Sequence, residues 1–302
     1  MAKHFLRTVA IVLMIVGTSA VATELPGDIR VTPEWLAEHI DDPSVVVLQV
    51  ADIRLDYLRE HIPGARFLWL GWLAESTPDM SVEVFPVAKM DSVLESLGVS
   101  NSSLVVLSDT YSAGSFSGVM RTWVTLDYLG MGERTKILDG GLQAWKAAGK
   151  STTQEVPKIA QGKFTPKIKT DTFADLDFVK AHMEKPGIRL VDARRPADYK
   201  GDPKSALPSG HIPGAVNVAY SSVTDDARRF VPLDTLRARF AAAGIQPGDE
   251  IIAYCNRGMT ASYLYVASAI LGHKACIYDG SMEEWGARGL PVVMEAAEPA
   301  KK

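Results

Sequence analysis

Cysteine is scarce in this chain, and its scarcity excludes whole classes of structure. The 302 residues include two cysteines, Cys255 and Cys276, which are too few for the disulfide framework of a small secreted domain. No histidine pair lies at metal-ligand spacing from either cysteine, so we predict no bound metal. No cofactor is expected. Cys276 lies in the apolar segment 275–278 and is predicted to be a small core residue. A disulfide between the two cysteines is the less favoured alternative.

Long apolar runs and a strong excess of one charge are also lacking. The formal net charge of −4 gives no reason to expect nucleic acid or an anionic membrane as a partner. The run from Val9 to Val16 is shorter than the roughly 20 residues that a membrane helix needs. Lys3 and Arg7 precede this run and small residues follow it, which is the pattern of a secretory signal peptide. The sequence therefore predicts cleavage after Ala22 and a periplasmic or secreted protein without a membrane anchor.

The feature that carries chemistry is a cysteine between a predicted strand and a predicted helix. Cys255 follows the apolar run 251–254 and opens a six-residue loop before the amphipathic stretch 261–271. The first amides of a helix have no partner within the helix, so a thiol beside them is favoured as thiolate. A free cysteine is only about 3% thiolate at neutral pH, and a helix end typically contributes about 0.3–1 kcal/mol. We therefore expect several loop amides to point at the sulfur, with Arg257 adding positive charge.

Two copies of one pattern follow the predicted leader. The sequence HIPGA occurs at 61–65 and again at 211–215, and an Asp-Gly pair followed by a tryptophan occurs at 139–145 and 279–285. Each copy alternates short β-rich runs with helix-like segments. This alternation predicts an α/β fold in which each copy is a parallel sheet with helices on both faces.

The repeat also predicts how the chain is divided and where its strands lie. The predicted segments are a signal peptide at 1–22, a first domain at 23–150, a polar linker at 151–170 and a second domain at 171–302. The predicted strands are 45–48, 104–107, 136–138, 189–191, 250–253 and 275–278. The acidic pair Glu283 and Glu284 is expected to lie on a solvated helix face.

Together these features resemble the tandem-domain rhodaneses, the sulfurtransferase family that includes thiosulfate and 3-mercaptopyruvate sulfurtransferases. The resemblance covers nearly all of the chain after the leader. It implies that Cys255 is the catalytic nucleophile and that Arg194 and Arg257 bind an anionic substrate. Asp192 is expected to support the site, either by bonding the loop backbone or by orienting Arg194. The other members of the implied active-site loop are Asn256, Gly258, Met259 and Thr260.

Alignment of the two halves predicts which copy is active. Asp109 falls at the position of Cys255, and Gln49 falls at the position of Asp192. The first copy therefore lacks the nucleophile, and the resemblance implies that it is a structural domain forming one wall of an interdomain substrate cleft. The histidines of the two HIPGA segments are expected to be structural turn residues rather than acid–base groups.

The predicted reaction moves sulfane sulfur from thiosulfate to cyanide or a thiol-type acceptor through a Cys255 persulfide, and releases sulfite. The expected partners are a small anionic donor and a nucleophilic acceptor, which can be a protein. Arg257 favours thiosulfate, but Asn256 stands where thiosulfate enzymes often have arginine, so 3-mercaptopyruvate is the alternative donor. A non-catalytic persulfide carrier is the alternative of another class. A phosphatase of related fold is disfavoured, because it needs arginine where Ala261 stands.

Overall fold

Strands and helices alternate along the described chain. The structure is a computed structural model that describes residues 28–76, 80, 83–84, 86–110, 115–201 and 209–295, so the predicted signal peptide lies outside the described residues. The strands are β1 (Arg30–Val31), β2 (Val45–Val50), β3 (Arg66–Leu68), β4 (Ala74–Glu75), β5 (Glu83–Val84), β6 (Leu104–Asp109), β7 (Thr135–Leu138), β8 (Phe173–Ala174), β9 (Ile188–Asp192), β10 (Val216–Asn217), β11 (Glu250–Tyr254) and β12 (Ala275–Tyr278). The α-helices are α1 (Pro33–His39), α2 (Arg54–Arg59), α3 (Val87–Ser96), α4 (Ser115–Tyr128), α5 (Gly141–Ala147), α6 (Leu176–His182), α7 (Pro196–Lys200), α8 (Leu233–Ala242), α9 (Ala261–Leu271) and α10 (Ser281–Ala287). No helix of the described ranges is long and apolar enough to cross a membrane.

Two five-stranded sheets organise these elements, one in each half of the chain. Their strand orders are β1-β7-β6-β2-β3 and β10-β9-β11-β12-β8, and all of their strand pairs are parallel. Strands β4 and β5 form a separate antiparallel pair. The predicted fold class is confirmed, and all six predicted strands are present. The structure adds β1, β3, β4, β5, β8 and β10, which have two or three residues each.

Helices cover both faces of each sheet. Successive side chains of a strand point to opposite faces, and every residue of β2 is buried. Val46 and Leu48 therefore belong to the core beneath α3 and α4, whereas Val45 and Val47 belong to the core beneath α1 and α5. Strand β11 is divided in the same way between the α8–α9 side and the α6–α10 side.

One hydrophobic core continues from the first domain into the second. Its buried members come from α3 and α4 of the first half and from α8 and α9 of the second half. At the contact of α4 with α9, the rings of Phe116 and Tyr263 meet edge-on with centroids 6.2 Å apart. The Tyr265 hydroxyl donates a 2.7 Å hydrogen bond to the Asp127 carboxylate. The two domains are therefore joined by packing between these helices as well as by the chain.

The linker and the HIPGA turns are held by backbone groups. The His61 ring lies 2.7 Å from the Tyr57 carbonyl and 3.0 Å from the carbonyl of Glu155, a linker residue. The His211 ring lies 2.9 Å from the Tyr199 carbonyl. Because both rings are buried and engaged in this way, the prediction of a structural role is confirmed for both histidines. The linker is also anchored to the first domain by these contacts.

Candidate active site

The register of the two sheets places Asp109 and Cys255 at equivalent positions. In the first sheet Gln49 pairs with Ser108, and in the second sheet Asp192 pairs with the residue before Cys255. The predicted alignment of the halves is therefore confirmed. Both positions lie at the carboxyl ends of central parallel strands, the edge of an open α/β sheet where ligands usually bind.

Cys255 lies at the start of the loop 255–260, which joins β11 to α9. Helix α9 begins at Ala261, as predicted, and Cys255 as a whole residue is only 1% exposed. Among the described residues, none donates a hydrogen bond to Cys255 Sγ, so the predicted ring of amides around the sulfur is not confirmed. Four loop amides nevertheless have no protein acceptor in the described ranges and are available to an anion. They belong to Asn256, Arg257, Met259 and Thr260.

The loop is held by a serine whose role the sequence did not reveal. Ser281 Oγ accepts hydrogen bonds from the Cys255 amide at 3.2 Å and from the Gly258 amide at 3.0 Å. The same hydroxyl donates to the Tyr278 carbonyl at 2.8 Å. One buried side chain thus fixes two positions of the loop.

Ser281 adopts a backbone conformation that normally favours glycine. Its φ of 50° lies in the left-handed region, which is costly for a residue with a Cβ atom. Gly141 occupies the equivalent position of the first domain, and a Cβ atom there would collide with the Asp109 carboxylate. Serine at the second glycine of the repeated Asp-Gly-Gly segment was the signal in the sequence that could have identified this residue.

Arg194 and Asp192 form a buried ion pair. The guanidinium lies 2.6 Å from the carboxylate, and the side-chain exposures are 1% and 0%. Arg194 also donates to the Gly210 carbonyl. Of the two supporting roles expected for Asp192, this geometry contains the contact with Arg194. With its guanidinium engaged inside the protein, Arg194 is not displayed to a substrate here, and its role in substrate binding stays a prediction without geometric support.

Arg257 lies in the open part of the loop and has an acidic neighbour. Its side chain is 50% exposed, and its Nε lies 3.5 Å from the Glu283 carboxylate. The Glu283 amide also donates to the Asn256 carbonyl at 3.0 Å. The expectation of a solvated face was therefore wrong for Glu283, because the turn that begins α10 packs directly against the loop. It was also wrong for Glu284, whose side chain is 13% exposed and accepts a 3.0 Å hydrogen bond from the Tyr278 hydroxyl. Arg257 remains the positively charged group of the loop, with its charge partly offset by Glu283.

The equivalent site of the first domain is filled by an ion pair between the domains. The Asp109 side chain is 0% exposed and forms an ion pair with Arg228 of the second domain. It also accepts a hydrogen bond from the Leu142 amide at 3.3 Å. A carboxylate paired with an arginine thus occupies the position at which the second domain has its thiol. This arrangement agrees with a structural function for the first domain.

Cys276 lies apart from Cys255, and its thiol is harder to ionise than a free thiol. It pairs with Ile252 in the sheet, three residues before Cys255, which separates the cysteines by about 10 Å along the strand. Both cysteines are free. Burial, with Asp171 and Glu250 nearby, raises the pKa of the Cys276 thiol to about 12. In the described ranges, no group of three or more His, Cys, Asp or Glu side chains is placed to hold a metal ion.

Comparison with known proteins decides the family. A family model described as a rhodanese-like domain matches residues 32–148 and again 175–288. The chain belongs to the rhodanese family. It is a tandem rhodanese, with Cys255 in the second matched region and Asp109 in the first.

Curated relatives of this tandem rhodanese carry names of both expected kinds. A probable 3-mercaptopyruvate sulfurtransferase of Pseudomonas aeruginosa is 32% identical over 274 residues, covering 84% of this chain and 93% of the relative. A putative thiosulfate sulfurtransferase of Synechococcus elongatus is 30% identical over 298 residues, covering 94% and 91%. The relatives support sulfurtransferase activity for this rhodanese, which implies a sulfur donor and an acceptor in general.

A solved structure shares the fold of this rhodanese. A persulfide form of EanB with ergothioneine superposes with a TM-score of 0.79 at 22% identity, covering 89% of this chain and 71% of that chain. At this identity the likeness concerns the fold alone.

Proposed function

We propose that this protein is a thiosulfate sulfurtransferase that carries sulfur as a persulfide on Cys255. The observation that carries the proposal is the position of Cys255 between β11 and α9, in a loop where four amides have no acceptor among the described residues. The first domain has a carboxylate, paired with an arginine, at the same position. The second domain is therefore the one with a nucleophile.

The first half-reaction is a displacement at sulfur. The Cys255 thiolate attacks the outer sulfur of thiosulfate, so that an Sγ–S bond forms while the S–S bond of the donor breaks. The bonding electron pair leaves with sulfite. The free loop amides and Arg257 are the groups available to stabilise the negative charge on the sulfur atoms and on the departing sulfite.

The second half-reaction returns the enzyme to its starting state. An acceptor such as cyanide attacks the outer sulfur of the persulfide, and the electron pair of the broken S–S bond restores the Cys255 thiolate. No oxidant or reductant is consumed. Cys276 lies on a neighbouring strand with a raised pKa, which argues against internal attack on the persulfide. The acceptor is therefore proposed to come from outside the chain, as a small nucleophile or a protein.

3-Mercaptopyruvate is the second candidate donor, and one contact favours it. Glu283 stands 3.5 Å from Arg257, which reduces the attraction of the loop for a doubly charged anion. A donor with a single carboxylate depends less on that charge. The similarity to the Pseudomonas aeruginosa relative points the same way. We retain thiosulfate as the first candidate because Arg257 is the charged residue within the loop.

Steady-state thiocyanate formation from cyanide, with thiosulfate or 3-mercaptopyruvate as donor, tests the proposal. The wild type should turn over many times, Cys255→Ser should be inactive, and the matched Cys276→Ser variant should keep its activity. A strong preference for 3-mercaptopyruvate would assign the second donor. A single burst of sulfite without further turnover would support a dedicated persulfide carrier, and an active Cys255→Ser variant would exclude the proposed nucleophile.

We also propose that residues 1–22 direct export and are then removed. The support is the basic, apolar and small-residue order of this segment. Intact-mass measurement of the protein from culture fractions tests it. A periplasmic or secreted species that begins at residue 23 is expected, whereas a full-length species confined to the cytoplasm would contradict export.

A further inference from the structure

The catalytic loop of the second domain is contacted by a buried arginine of the first domain. Arg121 lies on α4, and its side chain is 0% exposed. Its Nη1 and Nη2 donate to the two carboxylate oxygens of Asp279, at 2.5 and 3.0 Å. Its guanidinium also lies over the Phe173 ring, 4.7 Å from the centroid. Arg121 therefore bridges the domains through a forked, charge-assisted contact.

The same guanidinium reaches the loop backbone. Arg121 Nη1 lies 3.3 Å from the Gly258 carbonyl oxygen, to which it donates. The charge of Arg121 is already compensated by Asp279, so neutralisation of a buried charge does not by itself require this second contact. Gly258 has a φ of +73°, and a Cβ atom there would lie 2.5 Å from the Asp279 carboxylate and 3.0 Å from Arg121 Nη1. The loop is fitted closely to the ion pair.

The Gly258 carbonyl accepts from Arg121 and, at 3.4 Å, from the Ser262 hydroxyl, and its orientation sets the direction of a loop amide. In a trans peptide the carbonyl and the N–H point to opposite sides. Because the Gly258 carbonyl is turned toward Arg121, the following N–H, that of Met259, is directed away from Arg121. It is one of the four loop amides for which the described part of the chain provides no acceptor. The preceding peptide is held by Ser281, which accepts from the Gly258 amide, so each peptide group beside Gly258 has its own support.

We propose that Arg121 is a positioning residue through which the first domain sets the geometry of the Cys255 loop. The inference rests on the proposed function of Cys255 and extends it, because the domain without a nucleophile then contributes to the reaction. Arg121 acts through the Gly258 carbonyl and the loop amides rather than by touching the substrate. The alternative is that Arg121 only fastens the two domains together.

Four variants of the whole chain separate these roles. Arg121→Met removes the contacts with Asp279 and with the Gly258 carbonyl. Arg121→Lys keeps a positive charge near Asp279 but lacks the planar guanidinium that donates to Asp279 and Gly258 at the same time. The double variant Arg121→Met with Asp279→Leu replaces the whole ion pair by apolar groups, an exchange that often preserves stability. Tyr265→Phe is the matched control, since it removes a hydrogen bond between α9 and α4 that joins the domains and involves no residue of the loop.

Three readouts are measured for each variant. They are the melting temperature, the rate of sulfite release in a single turnover with excess thiosulfate, and the rate of Cys255 alkylation by iodoacetamide followed by peptide mapping.

Arg121→Met is expected to slow both rates at least about 10-fold, in line with the loss of a preorganised charge-stabilising group. Arg121→Lys is expected to slow both rates several-fold with little change in melting temperature. The double variant should regain melting temperature but not the rates, and Tyr265→Phe should lose melting temperature and keep both rates.

The outcomes distinguish the inference from the proposed function. Recovery of both rates together with stability in the double variant would overturn the inference. Arg121 would then serve only to join the two domains. Wild-type rates in Arg121→Lys would overturn it in the same way, and that variant remains informative if Arg121→Met fails to fold. Absence of sulfite release by the wild type would defeat the proposed donor, while the alkylation rates would still report on the positioning of the loop.

Discussion

The Cys255 amide donates a 3.2 Å hydrogen bond to Ser281 Oγ, which ties the proposed nucleophile to the first residue of α10. The same oxygen accepts from the Gly258 amide, so one hydroxyl connects the beginning and the middle of the loop. The left-handed φ of Ser281 is the conformation in which its side chain makes these bonds. Backbone strain and loop order are therefore coupled at one residue.

Substitution of Ser281 separates that strain from the hydrogen bonds. Ser281→Ala and Ser281→Gly both leave two buried amides without their acceptor, which costs about 1–3 kcal/mol for each unsatisfied group. Only glycine relieves the strained φ. The free energy of unfolding of Ser281→Gly should therefore be about 1 kcal/mol larger than that of Ser281→Ala. Both variants should release sulfite several-fold more slowly than the wild type. Chemical denaturation and single-turnover kinetics measure the two effects, and equal stabilities of the two variants would contradict the assigned strain.

Gly258 provides a second test of loop packing. A Cβ atom at this position would meet the Asp279 carboxylate and Arg121, whereas a Cβ atom at Gly244, which has a similar φ of +80°, would meet none of the described residues within 4 Å. Gly244→Ala should therefore cost only the backbone strain, about 1–2 kcal/mol. Gly258→Ala should cost more, and it should also lower sulfurtransferase activity at least about 10-fold by displacing the loop. Equal losses of stability in the two variants, with activity intact in both, would show that the loop tolerates the added methyl group.

The architecture was predictable because its signals are local. Runs such as Val45–Val50 are apolar enough to form buried strands, and the order of strand, loop and helix around Cys255 is visible in the sequence. The edge strands escaped prediction because two residues such as Val216–Asn217 carry no periodic pattern. Their pairing depends on the neighbouring strand that the fold brings beside them.

The supporting residues of the site depend on distant parts of the chain. Arg121 and Gly258 are 137 positions apart, and nothing local to α4 indicates which carbonyl its arginine will meet. A charged residue within an apolar helix was the available signal. The approach of Glu283 to Arg257 was hidden for the same reason, because charge can be read from a sequence but its partner often cannot. The contact of Arg194 with Asp192 is local and was predicted, whereas the complete burial of that pair depends on the surrounding fold.

The charge of Arg257, in the exposed part of the loop, should influence which sulfur donor the enzyme prefers. Arg257→Ser is expected to raise the KM for thiosulfate about 3–10-fold, and to raise the ratio of 3-mercaptopyruvate to thiosulfate turnover, because the loop loses its cation. Glu283→Gln is the matched variant of opposite sign, since it removes the negative charge that offsets Arg257 and should lower the KM for thiosulfate. Both shifts should shrink at high ionic strength, because these side chains are partly exposed to solvent. Donor kinetics at low and high salt measure this, and unchanged donor ratios in both variants would remove Arg257 from donor selection.

The buried thiol of Cys276 should make stability fall at alkaline pH. Burial raises its pKa from the ordinary 9.0 to about 12, so above pH 9 the unfolded chain loses this proton while the folded protein keeps it. The folded state then binds more protons than the unfolded state, and its stability decreases as pH rises, with a slope of at most about 1.4 kcal/mol per pH unit from this group. The stability that this thiol contributes is present below pH 9 and is lost progressively between pH 9 and about 12.

Cys276→Ala isolates this contribution. Denaturation of the wild type and the variant should give a difference in stability that is constant below about pH 8 and becomes smaller between pH 9 and 10. That interval is informative because the buried tyrosines Tyr265 and Tyr278, whose pKa values burial also raises, begin to contribute in the same direction only above about pH 10. The alanine variant loses side-chain packing at every pH, so the change of the difference with pH, rather than its size, is the quantity to compare. A difference that stays constant up to pH 10 would show that the Cys276 thiol ionises as readily in the folded protein as in the unfolded chain.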